Sequence, residues 1–206
     1  AVRAVSILIA ITGNLDRKGG NTIAMDSAMP TANSIRLEEH HTPELRDKLV
    51  GPEFPLAFQP FTEGLAAAYF KILESVLTED PHRIRTIIAP GTQPLVSTRG
   101  TKTVVEALEK VDFFVTIDMM QTAEHNYADI VLPVACSYES DYPFEITSNW
   151  ISASRKVIEP QGDYKSMQEF WFELAVKMGY GDDFWGGDVD KCMDFQLEPF
   201  NISFEE

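Results

Sequence analysis

The chain has little cysteine and no long apolar run. Two of its 206 residues are cysteines, Cys136 and Cys192, and their separation does not fit a CxxC motif. Two thiols cannot hold a metal cluster by themselves, so we interpret both as free thiols. No apolar run reaches the roughly 18 residues that cross a bilayer, and the first residues lack the charged region of a signal peptide. We therefore predict no membrane span and, since the chain does not begin with Met, expect an excised piece or a processed product.

Positive charge is also scarce. There are 17 Lys and Arg against 32 Asp and Glu, which leaves a net charge of −15. This is the wrong sign for neutralising phosphate backbones, so nucleic acid is excluded as an expected partner. Residues 181–206 hold eight of the acids and one lysine, a net charge of −7 and nearly half of the excess. Because 44% of the residues are hydrophobic and 11% aromatic, the chain can bury a core and is not disordered throughout.

Several catalytic and nucleotide-binding motifs are absent. The four histidines form no HExxH motif and no Ser-His-Asp arrangement that the sequence reveals, so nothing indicates hydrolytic chemistry. The chain also lacks GxGxxG and GxxxxGK[ST]. A simple nicotinamide-binding domain and a P-loop domain are therefore disfavoured.

The central part of the chain alternates between strand-like and helix-like segments. This order is typical of a parallel sheet with right-handed crossovers, so we predict an α/β fold. The predicted elements are an amphipathic helix at about 63–77, a strand at 84–89 before Pro90 and Gly91, a helix whose capping box is Thr103 and Glu106, a strand at 113–117 ending at Asp118, and a short strand at 130–132 before Pro133.

The flanking segments are less regular. Residues 2–11 form an apolar run that periodicity assigns to neither helix nor strand. Residues 22–62 carry five prolines and predict an irregular excursion with a short helix at about 44–49. Residues 150–158 predict one or two strands, and 167–178 predict the clearest amphipathic helix, ended by Gly179. The acidic, aromatic tail at 181–206 either packs back on the domain or docks on other protein.

Two predicted strands end in residues that suit a ligand. Parallel sheets bind ligands beyond the carboxyl ends of their strands, where loop amides and helix N-termini converge. Gly91 would allow a sharp turn and a close approach after the first strand, and Asp118, with Thr122 four residues later, follows the second. A carboxylate there can accept from two ribose hydroxyls or from guanine N1–H and N2–H₂. Taken alone the pattern stays ambiguous, because such an Asp is about as often a helix cap.

Four ordered motifs together resemble the molybdopterin oxidoreductase family of dimethyl sulfoxide reductase type. The similarity covers residues 1–21 and 63–180. The four motifs are Ile11-Thr12-Gly13-Asn14 with Gly19-Gly20-Asn21, Ile87-Ile88-Ala89-Pro90-Gly91-Thr92-Gln93-Pro94, Asp118-Met119-Met120-Gln121-Thr122, and Tyr127-Ala128-Asp129-Ile130-Val131-Leu132-Pro133.

The resemblance implies a large enzyme that holds molybdenum or tungsten on two molybdopterin guanine dinucleotides, between α/β domains of Rossmann type. It implies a three-layer, mainly parallel Rossmann-like fold, in which 1–62 ends a preceding cofactor domain, 63–180 binds the dinucleotide and 181–206 is the tail. Among family positions, the Gly-x-Asn-Pro turn maps to Gly91, Gln93 and Pro94, the guanosine contact to Asp118 and Thr122, the Ala-Asp-x-x-Leu-Pro element to Ala128, Asp129, Leu132 and Pro133, and a following Glu to Glu139.

The chain departs from the family pattern at two places. Gln93 stands where Asn is usual, which keeps the amide but lengthens its reach. Residues 123–125, Ala-Glu-His, replace the usual Glu-Thr-Ala, so we expect the helix there to be displaced. We interpret His125 as a solvated or capping residue rather than a catalytic one.

Regions that supply chemistry in relatives are missing from these 206 residues. Relatives carry the metal ligand and any iron–sulfur cysteines upstream and a β-barrel downstream, so the resemblance implies a fragment without catalytic residues or metal ligands of its own. Its expected partners are the other domains of the same enzyme, and iron–sulfur electron-transfer subunits are candidates. Two alternatives stay open: a non-catalytic relative inside an electron-transfer complex, and an independent nucleotide-binding module.

Overall fold

A computed structural model describes residues 2–15, 17–21, 32–33, 35, 42, 44, 48, 50, 69–142, 144–147, 150–153 and 155–205. Its helices are α1 Val2–Ile11, α2 Tyr69–Thr78, α3 Pro94–Ser97, α4 Thr101–Lys110, α5 Met167–Lys177 and α6 Val189–Leu197, with 3-10 turns at Ala123–Asn126, Gly181–Gly187 and Glu198–Phe200. Its strands are β1 Thr86–Pro90, β2 Phe113–Asp118, β3 Ile130–Pro133, β4 Phe144–Thr147 and β5 Trp150–Ala153. No helix among these residues is long and apolar enough to cross a bilayer.

The first three strands form one parallel sheet in the order β1-β2-β3. Pro90 pairs with Ile117 across β1 and β2, and Asp118 pairs with Pro133 across β2 and β3. The strands therefore end together at the same edge. This confirms the predicted α/β class with a parallel sheet, and each strand lies within two residues of its predicted bounds.

Helices α2 and α4 pack with β1 and β2 around a first hydrophobic cluster. In α4 the buried residues Val104, Ala107 and Leu108 are spaced by three and four positions, which places them on one helical face. Burying a side chain such as Leu108 contributes about 1.5–3 kcal/mol. The buried members of the cluster are Leu73, Val76, Ala89, Val104, Ala107, Leu108 and Phe114.

A second hydrophobic cluster joins the acidic tail to the rest of the chain. Phe172 of α5 packs with Val189, Cys192, Met193, Leu197 and Phe204. The Arg155 guanidinium lies 4.7 Å from the centroid of the Phe204 ring and donates to the Phe204 carbonyl. Of the two alternatives for the tail, the described residues therefore favour packing against the rest of the chain.

The two cysteines are both free, as predicted. Cys136 is half-buried, whereas Cys192 is buried in the second cluster. Burial raises the pKa of the Cys192 thiol to about 11. It therefore stays protonated near neutral pH and acts as a small apolar side chain.

Several predicted boundaries need correction. Helix α4 begins at Thr101 after Gly100, whose φ is +79°, so the predicted capping box of Thr103 and Glu106 is wrong. Among the described residues of 150–158 there is one strand, β5, which agrees with the prediction of one or two strands, whereas its antiparallel pairing with β4 was not predicted. Helix α6 was also not predicted.

Other boundaries agree or lie outside the described residues. The undecided run at 2–11 is helical, and α5 ends before Gly179, whose φ is +91°, as predicted. Residues 63–68 of the first predicted helix, and most of 22–62, lie outside the described residues. The three-part domain division stays a prediction.

Candidate functional site

The loops after β1 and β2 lie side by side at the carboxyl edge of the sheet. The Gly91 N–H donates to the Ile117 carbonyl at 2.8 Å, immediately before Asp118. Because β1 and β2 run parallel, Gly91 and Asp118 leave the sheet at the same end. The two loops that follow the predicted strands are therefore neighbours at one edge of the sheet.

In the first loop Gly91 has a left-handed backbone and open surroundings. Its φ is +54°, and a Cβ built on it would meet no atom within 4 Å. Gln93 caps helix α3 with its main-chain carbonyl, which accepts from the Ser97 N–H at 2.9 Å, while its exposed side chain makes no capping bond. Pro94 occupies the first helical position and is fully buried. Of these three predicted site residues, Gly91 and Gln93 are accessible, and Pro94 shapes the loop from inside.

In the second loop one carboxylate oxygen of Asp118 stabilises the turn that follows it, and the other is available to a ligand. Asp118 Oδ1 accepts from the Met120 N–H at 3.1 Å, which is an Asx turn. In the part of the chain that the structure describes, Oδ2 has no hydrogen-bond partner. Met119 and Met120 follow with exposed side chains. The carboxylate thus shapes its own turn and does not cap a helix, since Thr122 caps the next 3-10 turn, and its second oxygen has capacity to bind a ligand.

Thr122 and His125 build the 3-10 turn at Ala123–Asn126. The Thr122 N–H donates to His125 Nδ1 at 3.4 Å, and the His125 N–H donates to the Thr122 carbonyl at 3.3 Å. His125 Nε2 is buried and, among the described residues, has no partner. This geometry supports the capping interpretation of His125. Thr122 itself is half-buried four residues beyond Asp118.

Glu124, in the same turn, is a residue whose role sequence reasoning missed. Its side chain is fully buried, and its Oε1 accepts from the Leu95 N–H at 2.8 Å. Leu95 is the second residue of α3, so this bond connects the two loops. The signal in the sequence was the departure from the family pattern at 123–125, which gave no indication of a partner 29 positions away.

Two other motif residues hold the scaffold. Asp129 Oδ2 accepts from the Phe114 N–H at 2.7 Å, and the Asp129 N–H donates to the Phe114 carbonyl at 2.8 Å, which fixes β3 beside β2. Glu139 Oε2 accepts from the Cys136 N–H at 3.0 Å, and hydrogen bonding from Cys136 lowers the pKa of the Glu139 carboxyl. The described contacts of both acids are thus made within the chain.

No cluster of three or more His, Cys, Asp or Glu side chains within the described ranges could hold a metal ion. The polar groups available at the sheet edge are instead a loop backbone, a side-chain amide and a carboxylate. This set of hydrogen-bond donors and acceptors suits an organic ligand.

Comparison with known proteins identifies the family. The family model of molybdopterin oxidoreductase matches residues 1–177. The chain is 30% identical to the probable oxidoreductase YyaE of Bacillus subtilis over 88% of its length and 25% of the relative's. It is 29% identical to the F420-dependent formate dehydrogenase subunit alpha of Methanocaldococcus jannaschii over 89% of the chain and 27% of the relative. It is 24% identical to the thiosulfate reductase molybdopterin-containing subunit PhsA of Salmonella typhimurium over 95% of the chain and 27% of the relative.

The fold is also shared with a solved structure. Acetylene hydratase from Pelobacter acetylenicus matches with a TM-score of 0.62 and 23% identity, covering 69% of this chain and 20% of that one. The chain spans about a quarter of the length of the curated relatives that it matches. With a family model matching most of its residues, the chain belongs to the molybdopterin oxidoreductase family.

Proposed function

We propose that this chain binds the guanosine arm of a molybdopterin guanine dinucleotide, within an oxidoreductase that moves electron pairs to or from a small substrate. Family membership implies a molybdopterin cofactor with molybdenum or tungsten. The metal supplies the redox chemistry when the cofactor is bound. The residues of this chain contribute binding and orientation.

The observation that carries the proposal is the position of Gly91 and Asp118 at one sheet edge. They are linked through the 2.8 Å bond from the Gly91 N–H to the Ile117 carbonyl. Nucleotides bind where the carboxyl ends of neighbouring parallel strands converge. Asp118 and Thr122 would contact the nucleoside, and Gly91 and Gln93 would approach it from the adjoining loop.

The residues at this edge fit a guanosine group. Gly91 leaves space where any other residue would place a Cβ, so a ligand can approach the backbone closely. The unpartnered Oδ2 of Asp118 can accept from a guanine edge that presents two adjacent donors. Exposed Met119 and Met120 supply polarisable apolar surface beside that carboxylate, which suits contact with a base.

We further propose that other domains complete the enzyme and that it works with an iron–sulfur electron-transfer subunit. The formate dehydrogenase and thiosulfate reductase relatives are each named as a subunit of their enzyme. The negative charge of the tail is compatible with binding of other domains or subunits, because some of its acidic side chains form hydrogen bonds within the chain. Asp190, for example, accepts from the Tyr142 hydroxyl at 2.5 Å.

A test follows from the donor pattern of guanine. We expect the 206-residue chain, titrated with guanosine monophosphate and adenosine monophosphate by NMR, to bind the guanine nucleotide more tightly. Asp118→Ala should weaken guanine nucleotide binding about 10- to 150-fold, since a hydrogen bond to a charged group contributes about 1.5–3 kcal/mol. The substitution should also abolish the preference over adenine.

Asp182→Ala is the matched control, because Asp182 is an exposed carboxylate in the tail. It should change neither affinity. Urea unfolding should show similar stability for all three chains. Equal affinity of the unsubstituted chain for the two nucleotides would contradict the proposal.

A further inference from the structure

Glu124 is a carboxylate in an unusual environment. It is fully buried, although Glu is rarely buried without a charged partner. Among the described residues it forms no ion pair, and its Oε2 has no hydrogen-bond partner. Such a group destabilises the folded state, so its presence calls for an explanation.

The single hydrogen bond of Glu124 joins the two loops of the candidate site. Leu95 lies in the first turn of α3, directly after the Gly91–Pro94 loop, where main-chain N–H groups lack partners within the helix. Glu124 lies in the 3-10 turn directly after the Asp118–Thr122 loop. The bond from the Leu95 N–H to Glu124 Oε1, 2.8 Å long, therefore spans both loops beyond the strands that carry them.

We propose that Glu124 is a positioning residue, which holds the Gly91 loop and the Asp118–Thr122 loop at the separation that guanine nucleotide binding needs. This inference rests on the proposed function. Since the side chain is fully buried, it acts on the nucleotide through Leu95 rather than by contact. Small displacements of groups that bind one ligand together weaken binding strongly, because the groups can no longer act at once.

Two substitutions test the hydrogen bond. Glu124→Gln replaces the carboxyl group by an amide and keeps an oxygen that accepts from the Leu95 N–H. Glu124→Leu keeps a side chain of similar size and removes the acceptor. We expect Glu124→Leu to weaken guanosine monophosphate binding about tenfold or more, and Glu124→Gln to stay within about threefold of the unsubstituted chain.

Amide hydrogen exchange measures the loops without any nucleotide. In Glu124→Leu the exchange of the Leu95 and Gly91 amides should become faster, and in Glu124→Gln it should stay close to that of the unsubstituted chain. Val76→Ala is the control for a general loss of stability, because Val76 is buried in α2, a helix that carries neither loop. It should lower stability and leave the nucleotide affinity of the folded chain unchanged.

The outcomes distinguish this inference from the function on which it rests. If the unsubstituted chain binds guanosine monophosphate and Glu124→Leu binds it equally well, only the positioning role is overturned. The role is also overturned if Val76→Ala weakens binding as much as Glu124→Leu, or if Glu124→Leu leaves the exchange of the Leu95 and Gly91 amides unchanged. Absence of binding by the unsubstituted chain, with normal loop exchange, would instead overturn the proposed function and this inference with it.

Discussion

At the scale of single residues, the Gly91 loop depends on a backbone conformation that most side chains disfavour. The φ of +54° at Gly91 lies in the left-handed region. Open space surrounds the position, so a substitution there would suffer from backbone strain and not from a steric clash. The cost of such strain for an L residue is about 1–2 kcal/mol.

Gly91→Ala should therefore lower the free energy of unfolding by about 1 kcal/mol, measured by urea denaturation. Gly91→Asn is the matched variant, because Asn tolerates the left-handed conformation better than Ala does. We expect it to lose less stability than the Ala variant. A stability loss that is absent in Gly91→Ala, or larger in Gly91→Asn, would show that the loop does not hold this conformation in solution.

The candidate site was predictable only where a residue follows directly from its strand. Gly91 directly follows one β-rich run and Asp118 ends another, so parallel pairing alone brings them to one edge. Glu124 was missed, because its partner Leu95 lies 29 positions away and the contact depends on how two loops fold. The burial of Pro94 was likewise not evident from its motif.

At the scale of elements, helix α6 begins at a capped and charged N-terminus. Asp188 Oδ1 accepts from the Lys191 N–H at 3.1 Å, and Oδ2 lies 2.9 Å from Lys191 Nζ. The hydrogen bond to the Lys191 side chain, with a further one from its main chain, lowers the pKa of the Asp188 carboxyl from its ordinary value of 3.8. The folded state therefore favours the ionised form of Asp188.

This shift gives the stability of the chain a defined pH dependence. With a folded-state pKa below the unfolded one, the contribution is complete above about pH 4 and is lost as the pH falls through the lowered pKa. Asp188→Asn keeps a capping acceptor but does not titrate. The difference in urea midpoint between the two chains should be present at about pH 6 and shrink by about pH 3.

The control for this pH dependence is Asp182→Asn, which changes an exposed acid in the same tail. Its urea midpoint should follow that of the unsubstituted chain across the range, apart from the small effect of removing one charge. A difference for Asp188→Asn that stays constant from about pH 6 to about pH 3 would contradict the assigned ion pair.

Elements were predictable where the local sequence pattern is strong. Helix α5 lies within one residue of its predicted bounds, and the strands β1 to β3 are short, mostly apolar runs that end at or next to Pro, Gly or Asp. Helix α6 was missed because its apolar residues are interleaved with acids, and their burial depends on distant partners such as Phe172. The start of α4 was misplaced because capping-box spacing is a local signal, whereas Gly100 turns the chain into the helix earlier.

At the scale of the whole molecule, the acidic tail is packed, and an acid of the tail orders the aromatic residue that contacts the rest of the chain. Asp194 Oδ1 accepts from the Phe204 N–H at 2.8 Å, and the Phe204 ring stacks on Tyr142 with centroids 5.6 Å apart. The charge excess at 181–206, which composition alone associates with a solvated segment, is therefore compatible with a packed one. Acids there serve as hydrogen-bond acceptors for main chain and side chains.

The 206-residue chain purified by itself should fold. Because it has two hydrophobic clusters, we expect it to unfold cooperatively in urea when the transition is monitored by circular dichroism. No stoichiometric molybdenum or tungsten should be found by metal analysis, because no described set of three or more ligating side chains could hold a metal. The family resemblance implies that several domains enclose the cofactor. The purified chain alone should therefore bind guanine nucleotides only in the micromolar to millimolar range, and it should show no activity in a dye-reduction assay.

Stoichiometric metal in the purified chain would contradict this prediction and would direct attention to Cys136 and His125. Cys136 is only half-buried, and its N–H already orients Glu139. His125 has a buried Nε2 that no described residue engages, so it would need to turn outward to reach a metal. Cys136→Ser and His125→Gln would then identify the ligand, since loss of the metal in one of them and retention in the other assigns the bond. Cys192 would be excluded as a candidate, because its burial and raised pKa keep it a protonated core thiol.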